Sequence, residues 1–527
     1  MDALKRGPAG RREERSSLSA LAGDSWLALG GSLVAGVLGF VLAVIVTRGL
    51  GAGSAGAFFE AVALATILAN GLELGADTGL VRSISQLRAE GRWRDIDAVI
   101  RTALVPVVLA SATAGLILFV LAPEVGELVS RGRPAEAGAY LRAMAPFVPA
   151  GVLMLVCLAA VRGSGAMRPY VAVAHLLVPG LRPLLVGAAI GLGLGAVAIG
   201  LAWSLPLALG AAIAYGSLSA RRSRARALAG SEPPTPGIGR GFWRFTAPRG
   251  LAAFLQIVVI WVDVLLVGAL RSSAEAGVYG AASRTLLVGT VAMQAIALAA
   301  APLVGSALAR EDHEGLRSLY RIGAWWLVAL SWPFYLALAV FAPLVLGVFG
   351  PGFRVGTSAL VLLCAGILVQ VGTGNNKVVL LMAGHSGWNL TITAVSLVVN
   401  VSLNLLWIPR YGISGAAAAW VVTFVVDNGL TTLIVYRTLG IDPFGRGYAI
   451  AVGGSMVCFG VLGLAARALL GATLVGAVAL AAVAVPLYVL LLWRFRDTLH
   501  LDVLLGAARR RAAPGEADRS AETWAAS

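Results

Sequence analysis

The stretch SAGAFF at residues 54–59 recurs as EAGVYG at residues 275–280, and this pairing decides the fold. Two further segments recur in the same order and at the same spacing: AVRGSGAMRP (160–169) as LMAGHSGWNL (381–390), and LGAVAIGLAW (194–203) as SGAAAAWVV (414–422). The paired glycines, about 220 residues apart, are Gly56 with Gly277, Gly163 with Gly384, and Gly195 with Gly415. The chain is therefore a tandem duplication, and the two copies are expected to be equivalent lobes with a substrate site between them.

Composition places both copies in a membrane. Apolar residues make up 58% of the chain and charged residues 13%, against about 45–50% and about 25% in soluble domains. Apolar stretches of about 20 residues, the length that crosses a bilayer as a helix, recur along the chain. We predict an all-α polytopic protein with about fourteen spans: 26–47, 56–78, 99–121, 142–161, 170–190, 196–219, 245–269, 277–303, 322–346, 357–382, 389–408, 414–436, 447–469 and 471–493.

The spans group as six in each repeat and an appended pair. An even number per repeat makes the two copies parallel in the membrane. The predicted units are a disordered basic tail (1–20), a first lobe (21–220), a cytoplasmic linker (221–240), a second lobe (241–440), an extra helix pair (441–495) and a basic tail (496–527).

The lysines and arginines set the orientation. Most of the 41 fall on one side if both termini are cytoplasmic, which is the positive-inside pattern. The net charge of +15 therefore needs no nucleic acid, and no nucleic-acid partner is expected.

Placing a charged residue inside a membrane span costs free energy, so such a residue usually has a partner or a function. Arg182, Arg249, Arg284 and Lys377, set against Asp263, predict a central cavity that attracts anions. Two structural alternatives stay open. Asp263 and Arg284 would neutralise each other in one helical hairpin, and Arg249 and Lys377 would extend to the cytoplasmic boundary.

Secondary candidates lie in two other places. Gln370, Asn375 and Asn376 precede Lys377 in its span. Glu73, Asp77 and Arg82 lie at the inner end of the second span, where they form either a local charge cluster or an inner gate.

Motifs for catalysis or metal binding are absent from the sequence. GTGNNK at residues 372–377 lacks the ending of a phosphate loop, and the three cysteines lie inside spans without paired spacing. We expect no enzyme activity, no cofactor and no metal site, and transport driven by a gradient or the membrane potential.

Several stretches resemble the polysaccharide-transporter branch of the multidrug/oligosaccharidyl-lipid/polysaccharide exporter superfamily, the Wzx-type flippases of lipid-linked oligosaccharides. They are VDVLLVGAL (262–270) leading into AGVYGAASR (276–284), VFGPGFRVG (348–356), VVNVSLNLLWIPRYGISGAAAA (398–419), and GAGSAGAFFEAVAL with GADTGLVRSIS between residues 51 and 85. The resemblance covers about residues 25–440. It implies two V-shaped bundles of six helices around a cationic cavity.

The resemblance also implies a function: turning a polyprenyl-pyrophosphate-linked oligosaccharide from the inner to the outer leaflet of the bacterial inner membrane. Partners would be the lipid-linked glycan, the bilayer, and a polymerase or glycosyltransferases of the same pathway. Alternatives of the same fold are a lipid II flippase and a cation-coupled multidrug exporter. Residues 26–47 contain no Asp or Glu, unlike the first helix of typical drug antiporters. A polytopic glycan polymerase or glycosyltransferase is the competing class, although no large outer loop is present to carry its chemistry.

Overall fold

The computed structural model describes residues 8–229, 235–286, 289, 293 and 304–500, with residues 8–26 described by their backbone alone. Within these ranges the chain consists of helices joined by turns and contains no strand, which confirms the all-α prediction. Of the predicted tails and linker, residues 1–7, 230–234 and 501–527 lie outside the described residues.

The described residues of the first repeat and its lead-in form nine α-helices. They are α1 (Pro8–Leu72), α2 (Ala76–Ala89), α3 (Trp93–Val120), α4 (Ala122–Val129), α5 (Pro134–Met144), α6 (Val148–Gly163), α7 (Met167–Tyr170), α8 (Val178–Gly191) and α9 (Ala196–Ala229). A 3-10 turn (Ala145–Phe147) precedes α6, and a π-helical segment (Val171–Leu177) joins α7 to α8. The first helix begins at Pro8, so residues 8–20 are helical where the sequence suggested a disordered tail. Alanine, leucine, arginine and glutamate, which favour helices, dominate that segment.

The second repeat and the appended pair also consist of helices joined by turns. Their helices are α10 (Ile238–Leu270), α11 (Ser273–Leu286), α12 (His313–Val340), α13 (Ala342–Gly347), α14 (Thr357–Gly372), α15 (Asn376–Met382), α16 (Ser386–Leu439), α17 (Arg446–Ser455), α18 (Leu462–Leu470) and α19 (Leu474–Arg494). A 3-10 turn (Pro351–Gly356) precedes α14, and a π-helical segment (Met456–Val461) lies between α17 and α18.

Eleven helical stretches in the described residues are long and apolar enough to cross a membrane. Two of them, 63 and 53 residues long, are broken by glycines with positive φ, Gly51 (φ 74°) and Gly412 (φ 58°). Each break falls where the sequence predicts a loop between two spans, so these stretches hold two predicted spans each. Thirteen of the fourteen predicted spans are thereby accounted for, and the eighth (277–303) lies mostly outside the described residues.

The repeats align by structure slightly differently from their sequence pairing. Gly165 and Gly384 both end a helix with φ of 83°, and three backbone hydrogen bonds around each of them match. Gly165 is therefore the equivalent of Gly384, in place of Gly163, because the turn needs glycine where φ is positive.

The two repeats meet through a reciprocal contact of α1 with α11. A Cβ atom built on Gly56 would lie 2.9 Å from the backbone nitrogen of Gly277, and one built on Gly277 would lie 3.0 Å from that of Gly56. The same Cβ atoms would strike the carbonyl oxygens of Ser273 and Ala52 respectively. Gly56 and Gly277 are equivalent positions of the sequence repeat, and so are Ala52 and Ser273. The two copies therefore pack about a local two-fold axis.

Further bonds join the repeats on the predicted outer side. The backbone of Arg131 accepts from the Ser273 amide at 3.0 Å and donates to the Gly268 carbonyl at 3.1 Å. The hydroxyls of Ser130 and Ser273 are 2.6 Å apart, and Arg48 Nε donates to the Val348 carbonyl at 2.7 Å. The outer ends of the two repeats are held together in this conformation.

The appended helix pair packs against α12 of the second repeat. The Tyr488 hydroxyl donates to the Ala329 carbonyl at 3.0 Å, and Arg467 donates to the Val340 carbonyl at 2.9 Å. Most of the large side chains of α19 remain exposed, as expected for a helix that faces lipid.

Candidate functional site

A buried carboxylate lies inside the second repeat. Asp263 on α10 is buried, and its Oδ2 accepts from the Tyr279 hydroxyl at 2.8 Å. Its Oδ1 accepts from Asn404 Nδ2 at 2.8 Å, and the same amide donates to the Asn400 carbonyl at 2.9 Å. The direct partners of Asp263 in the described residues are therefore neutral donors.

Arg284 does not pair with Asp263, so the hypothesis that these two residues neutralise each other is wrong. The Arg284 guanidinium lies 4.0 Å from the centroid of the Trp261 ring, a cation–π contact. Tyr279 and Asn404 satisfy the carboxylate instead, since both reach it within hydrogen-bonding distance. Arg284 has no carboxylate partner among the described residues.

Asn400 and Asn404 are the site residues that sequence reasoning missed. They lie one helical turn apart on α16, are buried, and their Oδ1 atoms have no hydrogen-bond partner in the described part of the chain. Their i, i+4 spacing within an apolar span was the available signal, because buried amides in a membrane helix require partners. Together with Asp263 they bring a carboxylate and unpartnered amide oxygens into one region.

Lys377 forms an ion pair that offsets its charge, and its place in the cavity stays a prediction. Its Nζ lies 2.7 Å from Asp427 Oδ2, and Asp427 Oδ1 accepts from Ser396 at 3.1 Å. Asp427 is buried in the predicted twelfth span. This acid was left out of the charge balance expected from the sequence.

The amides near Lys377 bridge a break between α14 and α15. Asn376 Nδ2 donates to the Thr432 hydroxyl at 3.0 Å and to the Asn428 carbonyl at 3.3 Å. Asn375 is the residue before α15, and the Gln370 carbonyl accepts from the Thr373 hydroxyl at 2.9 Å. The Thr373 hydroxyl thus satisfies a carbonyl at the end of α14, while Asn376 ties the break to α16.

The contacts of Arg182 lie within the first repeat. Its Nε donates to the Trp203 carbonyl at 3.1 Å, and its guanidinium stacks over the Trp203 ring at 3.8 Å. Its observed contacts do not join it to Arg249 or Arg284.

Two guanidinium groups from different repeats converge on one ring. Arg82 on α2 and Arg249 on α10 lie 3.7 and 3.9 Å from the centroid of Phe245. Neither forms an ion pair with a carboxylate in the described ranges. Arg82 and Phe245 also line a pocket of about 250 Å³, together with Ser83, Gln86 and Arg92.

The predicted charge cluster at the end of the second span does not form as ion pairs. Glu73 is buried, and Asp77 accepts from the Thr78 hydroxyl at 3.2 Å. The Arg82 guanidinium instead lies over the Phe245 ring of the other repeat. Arg82 and Arg249 thus form a paired cation patch, which we call the inner arginine pair, where the predicted cytoplasmic ends of the repeats meet.

Comparison with known proteins agrees with this architecture. Residues 248–406 match the MatE family model. The "Probable low-salt glycan biosynthesis flippase Agl15" of Haloferax volcanii is 26% identical over 174 residues, which are 32% of this chain. The matched stretch spans only 36% of the length of that relative.

Solved structures share the fold over most of the chain. "Lipid II flippase MurJ, inward closed conformation" superposes with a TM-score of 0.67, 13% identity, and coverage of 89% of this chain and 98% of that one. An inward-facing multidrug resistance MATE family transporter of the MOP superfamily gives a TM-score of 0.62, 17% identity, and coverage of 77% and 94%.

The fold is that of multi-pass membrane transporters built from two parallel helical repeats. Within this shared fold, residues 248–406 are similar in sequence to the MatE family.

Proposed function

We propose that the protein is a flippase that moves a polyprenyl-pyrophosphate-linked oligosaccharide from the inner to the outer leaflet for surface polysaccharide biosynthesis. The observation that carries the proposal is the inner arginine pair, Arg82 and Arg249, contributed by both repeats and unmatched by acids in the described residues. Guanidinium groups bind phosphate oxygens in a two-pronged geometry, which suits a pyrophosphate head group.

The distribution of the other charges supports an anionic substrate. The Lys377 ammonium is neutralised by Asp427, while Asp263 is held by Tyr279 and Asn404. Arg284, on the helix that packs against the first repeat, keeps its charge without a carboxylate partner in the described ranges. Arg82, Arg249 and Arg284 are therefore three guanidinium groups without a carboxylate partner in the described ranges, and an anionic substrate could pair with them.

Transport would proceed by alternating opening of the two sides. The outer ends are held together by the Arg131 backbone and by the Ser130–Ser273 hydroxyl contact. A lipid-linked glycan would enter from the cytoplasmic leaflet beside the inner arginine pair. Rocking of the repeats would then release it outward. This scheme assumes cytoplasmic termini and a place in the bacterial inner membrane, beside the polymerase or glycosyltransferases of the pathway.

A second candidate is a cation-coupled exporter of the same fold, and the Asp263 cluster favours it. A buried carboxylate beside the unpartnered oxygens of Asn400 and Asn404 suits a proton or a small hard cation. The same cluster also fits the flippase, where it would couple glycan export to an ion gradient. A lipid II flippase would use the same chemistry on a different glycan.

Proteoliposomes distinguish these functions. The purified protein should translocate a fluorescent polyprenyl-pyrophosphate oligosaccharide and leave a cationic dye in place. Replacing Arg82 and Arg249 together with alanine should lower glycan translocation by at least about tenfold, because two charge-assisted contacts to phosphate are lost. Arg244→Ala is the matched control, since Arg244 is an exposed arginine on the same helix. Dye efflux without glycan translocation would contradict the proposal.

A further inference from the structure

A second basic pocket lies wholly within the first repeat, on the predicted cytoplasmic side. It has a volume of about 360 Å³ and is formed by the ends of α2, α3, α6 and α9. Its residues are separate from the inner arginine pair and from the Asp263 cluster. Nothing in the proposed transport cycle uses it.

The rim of the pocket consists of arginine guanidinium groups, of which some pair with an acid and others do not. Arg222 bonds Asp97 at 2.7 Å, and Asp97 also holds Arg226 and Arg101, so this acid is fully engaged. Among the described residues, Arg88 donates to the Ser164 carbonyl and Arg221 to the Ser217 carbonyl, and neither pairs with an acid. Arg224, which is exposed, forms no ion pair in the described residues. The rim therefore carries three arginines, Arg88, Arg221 and Arg224, without an acid partner in the part of the chain that the structure describes.

The floor of the pocket is aliphatic. Ile84, Ile96, Ile100 and Leu218 line it and are buried, and Trp93 stands half-buried at its edge. Tryptophan and arginine beside an aliphatic surface are typical of the boundary between lipid chains and head groups. A free phosphate ion would engage the rim and leave this floor uncovered.

We propose that this pocket binds an anionic phospholipid of the cytoplasmic leaflet, with its phosphodiester on Arg88, Arg221 and Arg224. The glycerol and the first carbons of an acyl chain lie on the isoleucine floor. Basic pockets between the cytoplasmic ends of membrane helices are suited to such head groups. The bound lipid would clamp α2 and α3 to α9 on one repeat.

The test measures lipid binding and requires no transport. Full-length protein in nanodiscs of zwitterionic phosphatidylcholine is titrated with fluorescent phosphatidylglycerol. Arg221→Gln combined with Arg224→Gln should weaken binding about tenfold or more, as expected for two surface cations. Arg240→Gln with Arg244→Gln removes the same charge from exposed positions on α10 and should change the affinity less than twofold.

Three results would overturn the proposal. They are equal loss of binding in both double variants, undiminished binding in the pocket variant, and displacement of the lipid by millimolar inorganic phosphate. Thermal unfolding without added phosphatidylglycerol checks that both double variants are folded. A second substitution, Ala166→Trp, fills the pocket without changing charge and should weaken lipid binding as well. Because flipping is not measured, failure of the flippase proposal leaves this test intact.

Discussion

Asp263 shows how a buried acid is kept inside a membrane protein without a cation. The Tyr279 hydroxyl and the Asn404 amide supply its hydrogen bonds, while the neighbouring asparagine oxygens stay without partners in the described residues. A site purely for stability would match donors and acceptors more completely. The arrangement fits a group that binds and releases a cation.

Asp263→Asn should therefore abolish the stimulation of transport by an imposed proton or sodium gradient and leave a slower, uncoupled flux. The asparagine keeps the shape of the side chain and an oxygen for the Asn404 amide, but it removes the charge. Transport is measured in proteoliposomes with and without each gradient. Tyr279→Phe, which removes a hydrogen bond and keeps the acid, should retain gradient dependence. Unchanged gradient dependence in Asp263→Asn, with a lowered unfolding temperature, would make Asp263 structural.

The ion pair of Lys377 with Asp427 should act as a structural unit. Lys377→Met alone leaves a buried carboxylate without its cation, which typically destabilises by roughly 3 kcal/mol. Lys377→Met with Asp427→Leu removes both charges and should recover most of the lost stability. Thermal unfolding in detergent measures both effects. If the single variant is stable but has lost transport, the result would support a substrate-binding role for Lys377.

At the scale of helices, the contact between α1 and α11 depends on the absence of two side chains. The Cβ of any residue replacing Gly56 would meet the backbone of Ser273 and Gly277, which cannot move aside as a flexible side chain would. Neighbouring Ala55 and Ala57 are buried as well, so the helices approach along a face of small residues.

Gly56→Ala should lower stability by about 1–3 kcal/mol, the usual cost of overpacking a close contact. Gly216→Ala is the matched control, because a Cβ on Gly216 would meet no atom within 4 Å. That substitution in α9 should raise stability slightly through the higher helix propensity of alanine. Unfolding temperatures of the purified proteins give the comparison. Equal stabilisation in both variants would mean that α1 and α11 are not in close contact.

For the molecule as a whole, the outer contacts between the repeats are the feature that alternating access must break. Ser130→Cys with Ser273→Cys places two sulfurs where the hydroxyl oxygens are 2.6 Å apart. Oxidation should form a disulfide that stops transport, and reduction should restore it. Each single cysteine variant should transport normally under oxidising conditions. Full transport with the disulfide formed would refute the rocking of the repeats.

Sequence was sufficient for the all-helical membrane architecture. Span length and hydropathy are local properties, and glycine breaks such as Gly51 and Gly412 fall where the apolar runs are interrupted. The partners of the intramembrane charges were not predictable, because they are set by packing between distant segments. Lys377 and Asp427 are 50 residues apart along the chain, and Asp263 and Asn404 are 141 apart. From residue type alone, Asp263 could be expected to pair with Arg284. In the structure its partners are Asn404 and Tyr279, whose side chains lie within hydrogen-bonding distance.

The surface shared by Gly56 and Gly277 is the kind by which a six-helix protein associates with an identical copy of itself. Equivalent residues meet across the axis, as in a symmetric homodimer, and parallel repeats insert in the membrane the same way up. A duplication within one chain keeps the two halves together, so that each half can diverge in sequence from the other. The second half used that freedom: Asp263 and Asn404 form its polar cluster, while the matching positions of the first half are Leu42 and Leu185.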